Sequence, residues 1–415
     1  MFELKLTDEQ KMAREEVRKF CEKEVRPYTR ALDNEEILPY DIMRKYISVF
    51  SPITKDTTVE EVEKFREQKH KNIIADSLMS IEVCKSAPSL SLAMGASTEL
   101  CAGTIMNCGN RDQKEKYALP VLRGDKIGAI AITEPTAGSD VYGIKSTARK
   151  DGDYYIINGS KTFITNAPYA DVIVYYAKTD LDAPGHKGMS AFILENDMPG
   201  LTRGKPFEKM GMRGSPTGEL FCEDVKVPKE NLLGTENRGF YELMETFAEE
   251  RAWGVVMDIG IVERILEESL KYARTRTAFG QNIGFFQGVQ WRLVDMYVVL
   301  MNCYALLFMT SEIRAQGKDL TAVASASKLY AGEAATRAGL DAISIFGGYG
   351  YMAEYPVEMF MRDAKLVEIG GGTTEIMKII TANMLLKDEN PPLCPFDIPA
   401  DPFITVREKR KNPDK

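Results

Sequence analysis

Apolar positions along the 415-residue chain change their spacing twice. From residue 7 to about 120 they fall at helical intervals, as at Met12, Val17, Phe20 and Val25, which a helix gathers on one face. Thr7-Asp8-Glu9-Gln10 opens this stretch in capping-box form, with two side chains placed to satisfy free N–H groups of a first turn. Residues 51–70 are highly charged and lack a strong apolar stripe, which predicts an exposed helix or connector. Residues 73–107 are apolar and rich in small side chains, which predicts a buried helix pair. Between 127 and 228 the pattern shortens to β-prone runs at 127–133, 154–158, 172–177, 189–194 and 219–227, punctuated by Gly, Asp, Asn and Pro. Long amphipathic segments then return around 240–275, 288–316 and 320–346. Helices, then strands, then helices predict an α+β fold: an N-terminal helical domain (1–126), a middle β domain (127–235) and a C-terminal helical region (236–387). Pro391, Pro392, Pro395, Pro399, Pro402 and Pro413 predict an extended arm over 388–415.

Charge and composition narrow the partners. The net charge of −8 is spread along the chain, and its one basic cluster, 407–411, is short, so no nucleic acid is expected. Seven cysteines without a CxxC pair, beside two histidines, predict reduced thiols and no metal site. The N-terminus shows neither an apolar signal core nor an Arg-rich transit pattern, and no run reads as the roughly 18–20 apolar residues of a membrane span. The expectation is a cytoplasmic protein without membrane insertion.

Five segments carry chemistry: Ile132-Thr133-Glu134-Pro135-Thr136-Ala137-Gly138-Ser139-Asp140; Asn158-Gly159-Ser160-Lys161-Thr162-Phe163-Ile164-Thr165-Asn166; Lys209-Met210-Gly211-Met212-Arg213-Gly214-Ser215; Arg276-Thr277-Ala278-Phe279-Gly280-Gln281; and Gly347-Gly348-Tyr349-Gly350-Tyr351 continuing to Met361-Arg362-Asp363-Ala364. In that order, over roughly residues 1–387, they resemble the acyl-CoA dehydrogenase family. The resemblance implies an N-terminal helical domain, a β domain and a C-terminal four-helix bundle. It also implies FAD as cofactor, an acyl-CoA substrate, electron transfer flavoprotein as acceptor and a homotetramer. By the same resemblance Ile132, Thr133, Gly138 and Ser139 would face the flavin, with Ser139 also meeting the CoA portion. Phe163 would lie against the flavin ring and Thr165 near its N5 edge; strand alternation would put the two on one face. Arg276 and Phe279 would reach the pyrophosphate and adenine of a neighbouring subunit's FAD. Gln287, Gly347, Gly348, Thr373 and Glu375 match further cofactor contacts. Ser344 departs from the family, which usually has Gln there.

The family's common base follows Arg-Asp-Ala-Lys in a run ending Tyr-Glu-Gly-Thr, and here that register places Gly371 at the base and Gly370 at the aromatic. A minority of the family, including the isovaleryl-CoA and long-chain types, carries the base on another helix, directly before an Arg. Phe247-Ala248-Glu249-Glu250-Arg251 matches that pattern, so Glu250 is the expected base and Arg251 its substrate-side neighbour. Glu249 points about 100° away on a helix. Glu368 and Glu375 are the rivals. The Gly371 amide would still bind the thioester carbonyl, and the three-glycine run would clear volume for a branched, cyclic or aryl acyl group. An oxidase of the same fold and a redox-inactive acyl-CoA-binding protein stay open as alternatives.

Overall fold

The computed structural model describes residues 6–71, 73–184 and 187–387; the side chains at 69–71, 245–246 and 248–249 are outside that description. The proline-rich arm, Cys394 and the Glu249 side chain therefore lie outside the described residues.

Helices come first. Asp8–Glu24 starts at the capping box: the Gln10 N–H donates to the Thr7 hydroxyl at 3.2 Å, and the Thr7 N–H donates to the Gln10 side chain at 3.0 Å. Tyr40–Phe50 and Val59–Lys71 follow. The latter is more than the exposed connector its charges predict, because Val59 and Val62 are buried in the core. Ile73–Ser86 and Pro88–Gly95 form the buried pair, and Pro88–Gly95 runs on through a π-helical turn, Ala96–Ala102, into Gly103–Cys108. The wider turn changes the helical phase. Cys101 is buried, its thiol donating to the Val172 carbonyl at 3.6 Å, while Cys108 is half-buried.

The middle of the chain forms one sheet. Its strands are β1 (Gly128–Ala131), β2 (Thr147–Asp151), β3 (Tyr154–Thr165), β4 (Val172–Lys178), β5 (Met189–Glu195), β6 (Leu201–Arg203), β7 (Thr217–Pro228) and β8 (Leu232–Leu233). They order as β6-β7-β3-β2-β4-β5-β8, with β1 parallel to β4. The short β2, β6 and β8 carry no clear apolar alternation, so the sequence pattern passes over them. β3 runs past its predicted end at 158 through register breaks against β7 at 157–159 and 161–164. The second break matters for the site: Phe163 takes φ +58° there. Simple alternation is broken there, although Phe163 is exposed, Ile164 buried and Thr165 half-buried along the strand.

The chain then returns to helices: Gly239–Thr275, Gln287–Ala315, Thr321–Phe346, a short Val357–Ala364 and Thr374–Lys387. The Thr321–Phe346 helix packs against the other four, and Gly239–Thr275 also packs on Ile73–Ser86. One sequence expectation fails in this bundle. Gln287–Ala315 is long and apolar enough, by length and composition, to cross a membrane. Trp291, Val294, Val298 and Met301 form an exposed stripe along it.

Polar contacts join the three parts. Buried Asn166 donates to the carbonyls of Ala93 (2.9 Å) and Gly128 (3.1 Å) and accepts from the Tyr40 hydroxyl (3.2 Å). Arg362 pairs with Asp33 at 2.7 Å and donates to the Met210 carbonyl at 2.8 Å, while the Met212 N–H donates to Asp363 at 2.5 Å. Burial pushes the Asp363 carboxyl up to about 7. The Arg-Asp pair that marked sequence register thus docks the Lys209–Ser215 loop onto the bundle. Within the sheet, fully buried Lys161 donates to the Ile132 carbonyl at 3.0 Å and to Glu134 at 2.8 Å. Glu134 also accepts the N–H groups of Lys145 (2.5 Å) and Ser146 (2.9 Å). Burial works to raise the Glu134 carboxyl, but Lys161 and these donors outweigh it and hold it below the usual carboxylate range.

Removing one member of a buried pair strands the other charge. Lys161→Met is expected to cost about 3–5 kcal/mol in chemical denaturation, and Lys161→Met/Glu134→Gln to recover part of that loss.

Candidate active site

Glu250 lies on Gly239–Thr275, and the loop before Thr374–Lys387 brings Gly371 against it. A Cβ built on Gly371 would stand 3.1 Å from Glu250 Oε1 and 3.2 Å from its Cδ. Gly371 has φ +65° and Gly372 φ +96°, backbone that a side chain resists. The space expected to be cleared for substrate at Gly371 is thus occupied by the Glu250 carboxyl, and a Cβ on Gly370 would meet only Leu366. Among the described residues the Gly371 N–H donates to no backbone group.

Glu250 is half-buried as a residue, but its Oε2 is sealed from water and has no hydrogen-bond partner. Burial pushes its carboxyl above the usual range, against the opposing charges of Lys328 first and Arg251 second. Arg251 is buried beside it, its guanidinium 5.9 Å from the Phe247 ring. Trp253, one turn on, would contact a Cβ at Gly95 at 3.8 Å. The rivals sit otherwise. Both Glu368 carboxylate oxygens are engaged, one by the Thr336 hydroxyl at 2.6 Å and one by Lys365 at 2.7 Å. Glu375 is exposed at a helix start. Its carboxyl is lowered by its own backbone N–H and the Thr373 side chain.

Sequence reasoning missed two groups behind this pair. Buried Lys328, on Thr321–Phe346, donates to the carbonyls of Val367 (2.7 Å) and Gly372 (2.8 Å), one on each side of Gly371. Asp258, on the same helix as Glu250, is fully buried with both carboxyl oxygens unpartnered. A lone Lys among Ala and Ser in the segment Ser325-Ala326-Ser327-Lys328 was the only sequence signal.

The residues assigned to the flavin divide into two groups. Around the β domain, the Phe163 ring is 68% exposed and lies 5.7 Å from Phe207. Thr165 and Thr133 are half-buried, Ser139 and Gly138 are exposed, and the carbonyls of Ile132 and Thr133 are held by Lys161 and by the Thr162 N–H. At the far end of the bundle, Arg276 meets Gly347, Gly348 and Tyr349 around an open cavity of about 430 Å³. Its guanidinium lies 5.5 Å from the Tyr349 ring, and a Cβ on either glycine would find nothing within 4 Å. An accessible arginine fork beside glycine-lined space fits the pyrophosphate of a dinucleotide such as FAD. Phe279, 96% exposed at φ +51°, and Gln287 at the start of its helix stand apart from that cavity within this chain. Thr373 accepts the Ile376 N–H at 3.3 Å, capping the last helix.

Comparison with known proteins identifies the family and its three-domain fold. Family models match residues 7–49 and 61–125 (acyl-CoA dehydrogenase, N-terminal domain), 129–225 (middle domain) and 237–386 (C-terminal domain). The chain is 43% identical over 304 residues to mitochondrial isovaleryl-CoA dehydrogenase of Pongo abelii, covering 73% of this chain and 72% of that one. Butyryl-CoA dehydrogenase of Megasphaera elsdenii superposes with a TM-score of 0.85 at 35% identity, covering 93% of this chain and 100% of that one. A structure from work on the electron transferring flavoprotein of Acidaminococcus fermentans and flavin-based electron bifurcation matches with the same score, identity and coverage.

Proposed function

Because the chain belongs to the acyl-CoA dehydrogenase family, an oxidoreductase family that works with FAD, we propose that it removes the α-proton of an acyl-CoA thioester with Glu250. One contact carries this assignment: the Glu250 carboxyl fills the space beside Gly371 where a side chain at the family's common base position would start. Glu368 is tied to Thr336 and Lys365, and Glu375 is exposed. Glu250 has a sealed, unpartnered oxygen free to take a proton. The Gly371 N–H, free of backbone partners, donates to the thioester oxygen as negative charge gathers there. FAD, when bound, supplies the acceptor for the hydride of the β carbon. Phe163, Thr165, Thr133 and Ser139 would hold its ring end, Arg276 and Phe279 would reach the pyrophosphate and adenine of a neighbouring subunit's FAD, and Gln287, Gly347 and Gly348 would make further cofactor contacts. Arg251 and Ser139 would steady the substrate, and electron transfer flavoprotein would take the electrons onward.

Glu250→Gln is expected to lower the rate of anaerobic flavin bleaching by acyl-CoA by about 10²–10⁴-fold, the usual worth of a positioned base. Full-speed bleaching in the variant would remove Glu250 from the mechanism. Rapid peroxide formation by wild type in air would identify an oxidase, and a flavin that stays yellow a binding protein. The base works ionised, so its raised carboxyl places the acid limb of kcat above the ordinary carboxylate range. Folding a carboxyl with a raised pKa loses stability as pH climbs from the unfolded to the folded value. Glu250→Gln should therefore melt above wild type at neutral pH.

For the acyl group we propose a short branched, cyclic or aryl chain. The Trp253 ring against Gly95, on the helix that carries Glu250, supports a pocket of limited depth, as does the likeness to an isovaleryl-CoA enzyme. A turnover panel should rank isovaleryl-CoA above straight chains of eight or more carbons; the reverse ranking would defeat the reading.

The exposed stripe Trp291, Val294, Val298 and Met301 supports pairing with further copies of the chain, as in a homotetramer. Val298→Glu is expected to shift the protein to a smaller species in light scattering, and an unchanged mass would place the interface elsewhere.

A further inference from the structure

Glu250, Gly254 and Asp258 follow one another at i, i+4 and i+8 and so share one face of their helix. The stem of Lys328 crosses that face at Gly254, where a Cβ would stand 3.6 Å from Lys328 Cγ and 3.8 Å from its Cδ. Its ammonium has three N–H donors. Two go to the carbonyls of Val367 and Gly372, which bracket Gly371. One is left, in a buried space where Glu250 and Asp258 both present unpartnered oxygens.

We propose that Lys328 is the positioning residue of this site: one ammonium fixes the loop that presents the Gly371 amide and places a positive charge in the buried space that Glu250 faces. Lys328 and Arg251 both draw the Glu250 carboxyl downward. The charged groups facing Lys328 are Glu250, Asp258, Arg251 and Glu368. Those facing Asp258 are Lys328 and Glu368, with the Cys84 and Cys303 thiols beside it. Burial drives the Asp258 carboxyl well above its ordinary value, against the opposing charge of Lys328. A single cation thus couples the basicity of the acid to the position of the Gly371 amide beside it.

This inference rests on Glu250 as the base for its catalytic meaning, but the coupling itself is measurable without turnover. The Glu250 carboxyl can be titrated by infrared difference spectroscopy, with each protein's Glu250→Gln counterpart as the blank. Loss of a nearby cation raises a carboxyl, so Lys328→Met should move that titration, and the acid limb of kcat with it, about one unit or more towards alkaline pH. KM should change less than kcat. Lys328→Met also strands Asp258, which could destabilise the fold by itself. Lys328→Met/Asp258→Asn removes that stress and should regain melting temperature while the Glu250 titration stays displaced. A wild-type titration in either variant would overturn the proposal. Loss of the base assignment reads out separately, as full-speed bleaching in Glu250→Gln.

Discussion

The ion pair of Lys161 and Glu134 sits where the 132–140 and 158–166 segments of the β domain meet, and their relative placement depends on it. Neither segment is regular there. Glu134 bridges only to Ala137, and β3 breaks register between Lys161 and Ile164. A turn and a bulge cannot fix each other through ladder hydrogen bonds alone. The ammonium does so by binding one backbone carbonyl and one carboxylate of the turn, and the carboxylate passes the constraint on to Lys145 and Ser146. With the pair in place, Phe163 can be held at a positive φ with its ring turned outward. A buried pair costs desolvation of two charges, so its worth here lies in geometry more than in stability.

The same device recurs in the bundle. Lys328 holds a glycine loop by its carbonyls, and Asp363 holds the Lys209–Ser215 loop by the Met212 amide. Each ties irregular backbone to a regular helix through one buried ionisable group. Glycines allow this at two of the contacts. At Gly211 a Cβ would meet the Arg362 carbonyl at 2.3 Å, and Gly371 takes φ +65° against Glu250.

Helical and β-prone spacing carried the order of the elements, because burial enforces periods that a reader can count. Glu250 was legible only by register, from Arg251 beside it and glycine at 371. Lys161, Lys328 and Asp258 were not legible. A lysine in a strand or an aspartate in a helix ordinarily reads as surface; a partner far along the chain sets the two lysines apart, and burial among distant elements sets Asp258 apart. Lys161 meets Glu134 27 residues away, and Lys328 meets Val367 39 residues away. The bulge at Phe163 escaped for a related reason, since it exists only in the pairing of β3 with β7. The apolar stretch in Gln287–Ala315 was missed because scattered polar residues such as Asp295 and Asn302 break it into short runs.

Gly371 also bears on how such a site changes over generations. A chain with acids at both 250 and 371 would crowd two carboxyls into one dry space, where only one can ionise. It would also force a side chain onto left-handed backbone. On the reading that Glu250 is the base, a chain carrying acids at both positions would be disfavoured at this site as a path between them. The path runs instead through a chain that has lost one acid before the other becomes competent, or through one whose loop has already re-formed. Either way the glycine acts as a ratchet: once the loop has settled around Glu250, restoring an acid at 371 would gain nothing until the loop itself moved back.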